Sequence, residues 1–372
     1  DADRGWSDAT WATKKWQTAL QHQRNPPTAS EFLAMQRTLL SGLEKSSEPL
    51  GGIPRLLLVY WEGPPQPFSE ACVRLMQRHN PDWELVRLPQ GANGEFEPPP
   101  ASLAPEARSD WARVHALARW GGVYIDTTAI VLAPIERWVN LSSKAVQGFD
   151  TGASNDCKSR LPIQAKKMSG AFDSSSGCIR SMDAFAIASP RGHPLMVAWQ
   201  QQLRLAFWCG TRCMESYSAT LGDTGLLGNG LRGALPYLTV NAAFVAAAAL
   251  TPAAPVTLMR SHSSGGPLEW AMRPVRAFRS PAYAVSALFN RSLAQLASVP
   301  LLKISHMHRR YLPGPDHANM GHSWLFRQLW HLTSADSVSM LDQQQARIGM
   351  TSRTTAITTD ARHLRSHTHH GV

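Results

Sequence analysis

From Ile53 onward, short apolar runs alternate with stretches whose apolar residues recur at helical spacing. Leu56 to Tyr60 is an unbroken apolar run between Pro54 and Gly63, as expected of a strand buried on both faces. Pro67 to His79 reads as a helix and Trp83 to Leu88 as the next strand. Pro105 to Trp120 reads as a second helix, with Pro105 at its start and Trp111, Val114, Leu117 and Ala118 as its apolar face. Val123 to Ile125 and Ala129 to Leu132 read as strand segments on either side of an acidic residue, Asp126. Further along, Asp183 to Ala188 and Leu301 to Ser305 read as strands, and Pro194 to Phe207, Leu231 to Leu250 and Ser323 to His331 as helices. This alternation predicts an α/β fold: a Rossmann-like open sheet of mostly parallel strands with flanking helices. In such sheets ligands sit outside the carboxyl ends of the strands.

The flanks read differently. Residues 1–50 are predicted to be a polar helical appendage, with a capping box at Thr28 to Glu31 and apolar residues at Phe32, Met35, Leu39, Leu40 and Leu43. The main unit is expected over 51–332. It is interrupted at about 150–180 by a Ser-, Gly-, Lys- and Asp-rich loop insertion. Residues 333–372 are polar and rich in Thr, Ser and His, the composition of a disordered tail.

Composition narrows the partners. Hydrophobic residues make up 43% and charged residues 17% of 372, ordinary for a globular chain, but the net charge of +10 suits an anionic ligand or surface. No RNA-binding aromatic signature and no Cys/His finger spacing accompany that charge, so nucleic acid is not expected. No apolar run is long enough to span a bilayer, and the chain starts at Asp1, which leaves room for a membrane anchor ahead of it. Cys72 stands alone, whereas Cys157, Cys178, Cys209 and Cys213 cluster. The cluster fits two disulfides in a secretory or Golgi lumen, or free thiols in a cytoplasmic enzyme.

The densest chemistry lies between Arg108 and Thr128. Asp110 and Arg113, three residues apart, share a helix face; a Gly121-Gly122 turn and a short strand then lead to Asp126. By itself the pair fits either a surface ion pair or a ligand contact. A carboxylate at a strand end suits a hard divalent cation beside a phosphate. No nucleophile elbow, P-loop or nicotinamide-binding glycine motif is present.

Together, Ser109-Asp110-x-x-Arg113 and Gly121-Gly122-x-Tyr124-x-Asp126-x-Thr128 resemble the signature of the capsular polysaccharide synthesis protein family. That family is related to DXD glycosyltransferases of the yeast outer-chain mannosyltransferase type. The resemblance reaches upstream to Ile53–Gly63 and Asn80–Glu84, and more loosely downstream to Ser189–Met196, Leu302–His306 and Gly321–Trp324. It implies a GT-A type fold and transfer of a sugar, with retention of configuration, from a nucleoside diphosphate sugar to a glycan, lipid or protein hydroxyl. It also implies that Asp126, Asp110 and Arg113 are catalytic. Tyr60, Trp61, Ser109, Gly121, Gly122, Tyr124, Thr128 and Ser323 would then bind the donor, although an apolar core role fits Tyr60 and Trp61 equally. The implied metal is Mn2+ or Mg2+ on Asp126, with His306 as a second ligand. Thr128 departs from the pattern, because many relatives carry a second acid there and a hydroxyl is the weaker cation ligand. The rival readings are a non-catalytic nucleotide- or glycan-binding relative and a basic protein that binds an anionic polymer.

Overall fold

The computed structural model describes residues 51–88, 99–151, 172–173, 178–207, 211–223, 238–261, 267, 285–286, 288–291, 296, 299–304, 311–312 and 323–330. The predicted appendage over 1–50 and the tail over 333–372 lie outside these residues.

In chain order the first block is β1 (Leu56–Tyr60), α1 (Pro67–His79), β2 (Glu84–Leu88), α2 (Pro105–Trp120), β3 (Gly122–Ile125) and β4 (Ala129–Val131). It continues with β5 (Val146–Asp150), β6 (Phe172–Asp173), β7 (Cys178–Ile179), β8 (Met182–Ser189), α3 (Pro194–Phe207) and α4 (Thr211–Asp223). The last elements are α5 (Thr239–Leu250), β9 (Val256–Arg260), β10 (Leu301–Lys303) and α6 (Trp324–Trp330). Six strands form one sheet in the order β2-β1-β3-β8-β5-β9. The β1/β2, β1/β3 and β5/β9 pairs are parallel, and β8 runs antiparallel to both its neighbours. The architecture is thus the expected mixed α/β type, a mostly parallel sheet with flanking helices.

The unbroken apolar runs follow from burial on both faces of this sheet. In β1, Leu58 and Tyr60 join a core with Trp111 and Leu117 of α2, Trp199 of α3 and Phe244 of α5. Leu57 and Val59 point to the opposite core, with Leu75 and Met76 of α1 and Leu325 of α6. Strand β3 splits the same way, with Tyr124 on the first face and Val123 and Ile125 on the second. Trp199 also donates its indole N–H to the Val240 carbonyl at 2.9 Å, so its polar edge is satisfied as it packs.

Helix α2 returns straight onto β3 through two glycines with positive φ, Gly121 at 69° and Gly122 at 97°. A β-carbon on Gly122 would lie 2.5 Å from the Leu56 carbonyl oxygen, so only glycine fits beside β1. Beyond β3, β4 leaves the main sheet and pairs antiparallel with β10, setting Lys303 opposite Ala129.

Several elements differ from the sequence reading. The predicted helix over 231–250 is described from Thr239 onward, and 224–237 lie outside the described residues. Strands β5 and β9 and helix α4 were not anticipated. Within the expected loop insertion, β6 and β7 form a short antiparallel pair. Cys72 is a free buried thiol, whereas Cys213 is disulfide-bonded. No helix among the described residues is long and apolar enough to cross a membrane.

Candidate functional site

Strand β1 has β2 on one side and β3 on the other, so the chain order reverses direction across the sheet at β1. The crevice outside the carboxyl ends of β1 and β3 is the topological switch point, where open α/β sheets bind ligands. A cavity of about 430 Å3 lies there. Tyr60, Trp61 and Glu62 line it from the end of β1, and Asp126, Thr127 and Thr128 from the end of β3. Helix α2 contributes Ser109, Asp110 and Arg113, and Asp183 and Lys303 arrive from β8 and β10.

Arg113 organises the floor. Its guanidinium lies 3.3 Å from both Asp110 and Asp126, and Nη1 donates to the Ala184 carbonyl at 2.6 Å. Nε and Nη2 donate to the Ser109 carbonyl and hydroxyl at 3.2 and 2.8 Å. The Tyr124 hydroxyl donates to Asp126 Oδ1 at 3.1 Å, so it must accept from Ser109 Oγ, 3.3 Å away. A directed chain therefore runs from Arg113 through Ser109 and Tyr124 to Asp126. The Tyr124 ring also lies beneath the guanidinium, 4.9 Å from its centroid. On the far side, Lys303 Nζ bonds Asp126 Oδ2 and donates to Thr128 Oγ1 at 3.4 Å. Asp126 is also anchored through its backbone, whose N–H bonds the Phe185 carbonyl at 2.8 Å.

This geometry separates the carboxyls. Burial alone would raise Asp126, but Lys303, Arg113 and the Tyr124 hydroxyl outweigh it and hold the group below its ordinary range. Burial pushes Asp110 up to about 7, since Arg113 offsets it only partly and Asp126 and Glu106 repel the charge. Asp183 rises to about 6, again chiefly by burial. Burial opposes the Arg113 charge as well, yet Tyr124, Asp126, Asp110 and Asp183 together keep it protonated. The cavity therefore holds one firmly ionised acid between two cations, beside two acids that titrate near neutrality.

Of the residues singled out from sequence, Asp110, Arg113, Asp126, Tyr60, Trp61, Ser109 and Thr128 converge on the cavity. Tyr60 is only 5% exposed and its hydroxyl, donating to Glu62 at 3.3 Å, is pushed up to about 12 by burial; Trp61 is more open. Four expected donor contacts stand elsewhere. Gly121 and Gly122 lie at the opposite end of β3, where they serve the turn. Tyr124 is fully buried and reaches the cavity only through Asp126. Ser323 caps α6, with its hydroxyl bonded to the Phe289 carbonyl and accepting the Phe326 N–H at 3.3 Å. His306 lies outside the described residues.

Lys303, Asp183 and Glu62 were missed. Lys303 left one signal, a lone charge inside the apolar run Leu301 to Ile304. Glu62 pairs with Arg108, which donates Nε at 2.9 Å and Nη2 to its two oxygens, and so ties the end of β1 to α2.

The donor set that the described residues place around Asp126 does not fit the expected divalent cation. Among the described residues no group of three or more His, Cys, Asp or Glu side chains is placed to hold a metal. Asp126 gives both its oxygens to Tyr124, Arg113 and Lys303, and the neighbouring Thr128 hydroxyl also meets the ammonium.

No family model and no curated protein matches the chain. Solved structures similar to it include the PaToxG glycosyltransferase, at 11% identity and TM-score 0.29, covering 82% of this chain and 96% of that one. An apo structure of the WbbM bifunctional glycosyltransferase is similar at 10% identity and TM-score 0.32, covering 77% of this chain and 52% of that one. Scores this low leave the functional reading to the chemistry of the cavity.

Proposed function

We propose that the chain is a GT-A type glycosyltransferase that takes a nucleoside diphosphate sugar at the β1/β3 switch point and passes the sugar to an acceptor hydroxyl. The observation that carries this reading is Asp126 held between Arg113 and Lys303 at the end of β3, with Tyr60 and Trp61 across the crevice. An aromatic face there can stack on a nucleobase, and the two cations can meet a diphosphate. In the reaction the acceptor oxygen bonds the anomeric carbon as the carbon–oxygen bond to the diphosphate breaks. The departing diphosphate carries the electron pair, and fixed positive charge lowers the cost of that step. The acceptor's proton needs a base, and Asp110 at about 7 or Asp183 at about 6 is suited to take it near neutral pH.

Residues 109–128 support a capsular polysaccharide synthesis type of enzyme, and with it retention of configuration and a glycan, lipid or protein acceptor. The disulfide at Cys213 supports a secretory or Golgi lumen.

A screen of UDP- and GDP-sugars for release of free nucleoside diphosphate tests the activity. At least one donor should turn over, and Asp126→Asn should slow it by about a hundredfold or more. Unchanged turnover in that variant would sink the site assignment. Binding without any turnover would favour a non-catalytic nucleotide-binding relative, a reading that the fully engaged Asp126 carboxylate and Thr128 make specific. NMR of the product anomer decides between retention and inversion.

A further inference from the structure

The side chains at Asp126 and Thr128 mark where a strand-end acid motif would hold a divalent cation beside a diphosphate, and Lys303 already fills that position. Its ammonium bonds the carboxylate and the hydroxyl together. It is fixed from two directions: the β4/β10 register sets Lys303 opposite Ala129, and the ammonium lies 5.5 Å from the Phe185 ring centroid. The Asp126 and Lys303 side chains keep 18% and 15% of their surface exposed, so the pair faces the cavity rather than closing into the core.

We propose that Lys303, with Arg113, replaces the divalent cation, so that this chain binds a nucleoside diphosphate without metal. The inference rests on the glycosyl-transfer reading for the identity of the anion. Three observations support it. Asp126 is the only acid in the short motif, and both of its oxygens are engaged. A divalent ion placed against Asp126 would sit beside two fixed cations, a repulsion that the partly dry cavity strengthens. Arg113 and Lys303 both line the cavity around one shared carboxylate, so an anion can meet fixed cations at a point where no metal need be recruited.

The test uses the full chain, Lys303→Met, which keeps an unbranched apolar stem, and Lys303→Arg, which keeps the charge. Mn2+ alone is titrated by electron paramagnetic resonance, and UDP and GDP by calorimetry, each in EDTA and in Mn2+. The wild type should leave Mn2+ free and bind one nucleotide equally in both media, within about twofold. Lys303→Met should lose about tenfold or more in EDTA and gain both a bound Mn2+ signal and Mn2+-dependent nucleotide affinity. Lys303→Arg should remain metal-independent. Stoichiometric Mn2+ on the wild type, or a gain of about tenfold in its nucleotide affinity with Mn2+, would overturn the proposal. So would Lys303→Met behaving as the wild type does. If neither nucleotide binds in any medium, the glycosyl-transfer reading fails instead. The Mn2+ titration then decides the role of Lys303 alone, and the wild-type arm does so even if Lys303→Met fails to fold.

Discussion

Asp110 and Asp126 sit on the same guanidinium and yet titrate in opposite directions. The difference lies in their other partners: Asp126 has Lys303 and a tyrosine hydroxyl, while Asp110 has burial and two neighbouring acids. This has a sign that can be measured. Below about pH 4 Asp110 is protonated in both the folded and unfolded chains. As pH rises, the unfolded chain releases that proton first, and the fold loses stability until pH passes the folded value of about 7. Asp110→Asn carries no such proton. Its stability relative to the wild type should therefore improve between pH 5 and pH 8, by on the order of a few kcal/mol at most. Urea unfolding of both proteins at the two pH values reads this directly, and a difference that does not change with pH would contradict the assigned environment.

The glycine turn between α2 and β3 shows at the element scale what could and could not be read ahead. Gly121-Gly122 was visible in the sequence as a turn, but its place was not: it tightens the start of β3, while the cavity opens at the other end. Gly122→Ala combines positive φ with a clash on the Leu56 carbonyl, so it should cost about 1–3 kcal/mol or more. The loss should appear in thermal unfolding, with nucleotide affinity of the folded fraction unchanged; weakened affinity at intact stability would return Gly122 to the donor site. The block from β1 to β3 was legible because β1 and β3 are buried on both faces and α2 starts on a proline. Strands β5 and β9 were not legible, since Val146-Gln-Gly-Phe-Asp150 and Val256-Thr-Leu-Met-Arg260 mix polar and apolar residues and are defined by pairing with each other and β8. Lys303 was hidden for a related reason. It lies 177 residues beyond Asp126, and only the antiparallel register of β10 on β4 brings it there.

For the whole molecule, a net charge of +10 surrounds a cavity lined by five carboxyls, at Glu62, Glu106, Asp110, Asp126 and Asp183, against the two cations Arg113 and Lys303. The basic excess thus lies outside the cavity, where it can draw an anion toward the protein but cannot hold it. Inside, the charges are nearly matched: Glu62 is paired with Arg108, Asp126 is shared, and Asp110 and Asp183 titrate near neutrality. The two contributions respond differently to salt. Long-range attraction is screened beyond about 10 Å at 0.1 M ionic strength, whereas contacts within a partly buried cluster are screened much less. Raising salt from about 0.02 to about 0.5 M should therefore slow association of the bound nucleotide several-fold and leave its dissociation rate nearly constant. Stopped-flow binding across that range separates the two rates. Dissociation that quickens steeply while association holds would mean that the anion is gripped by exposed surface cations, as in an anionic-polymer binder, and not by the Arg113–Asp126–Lys303 cluster.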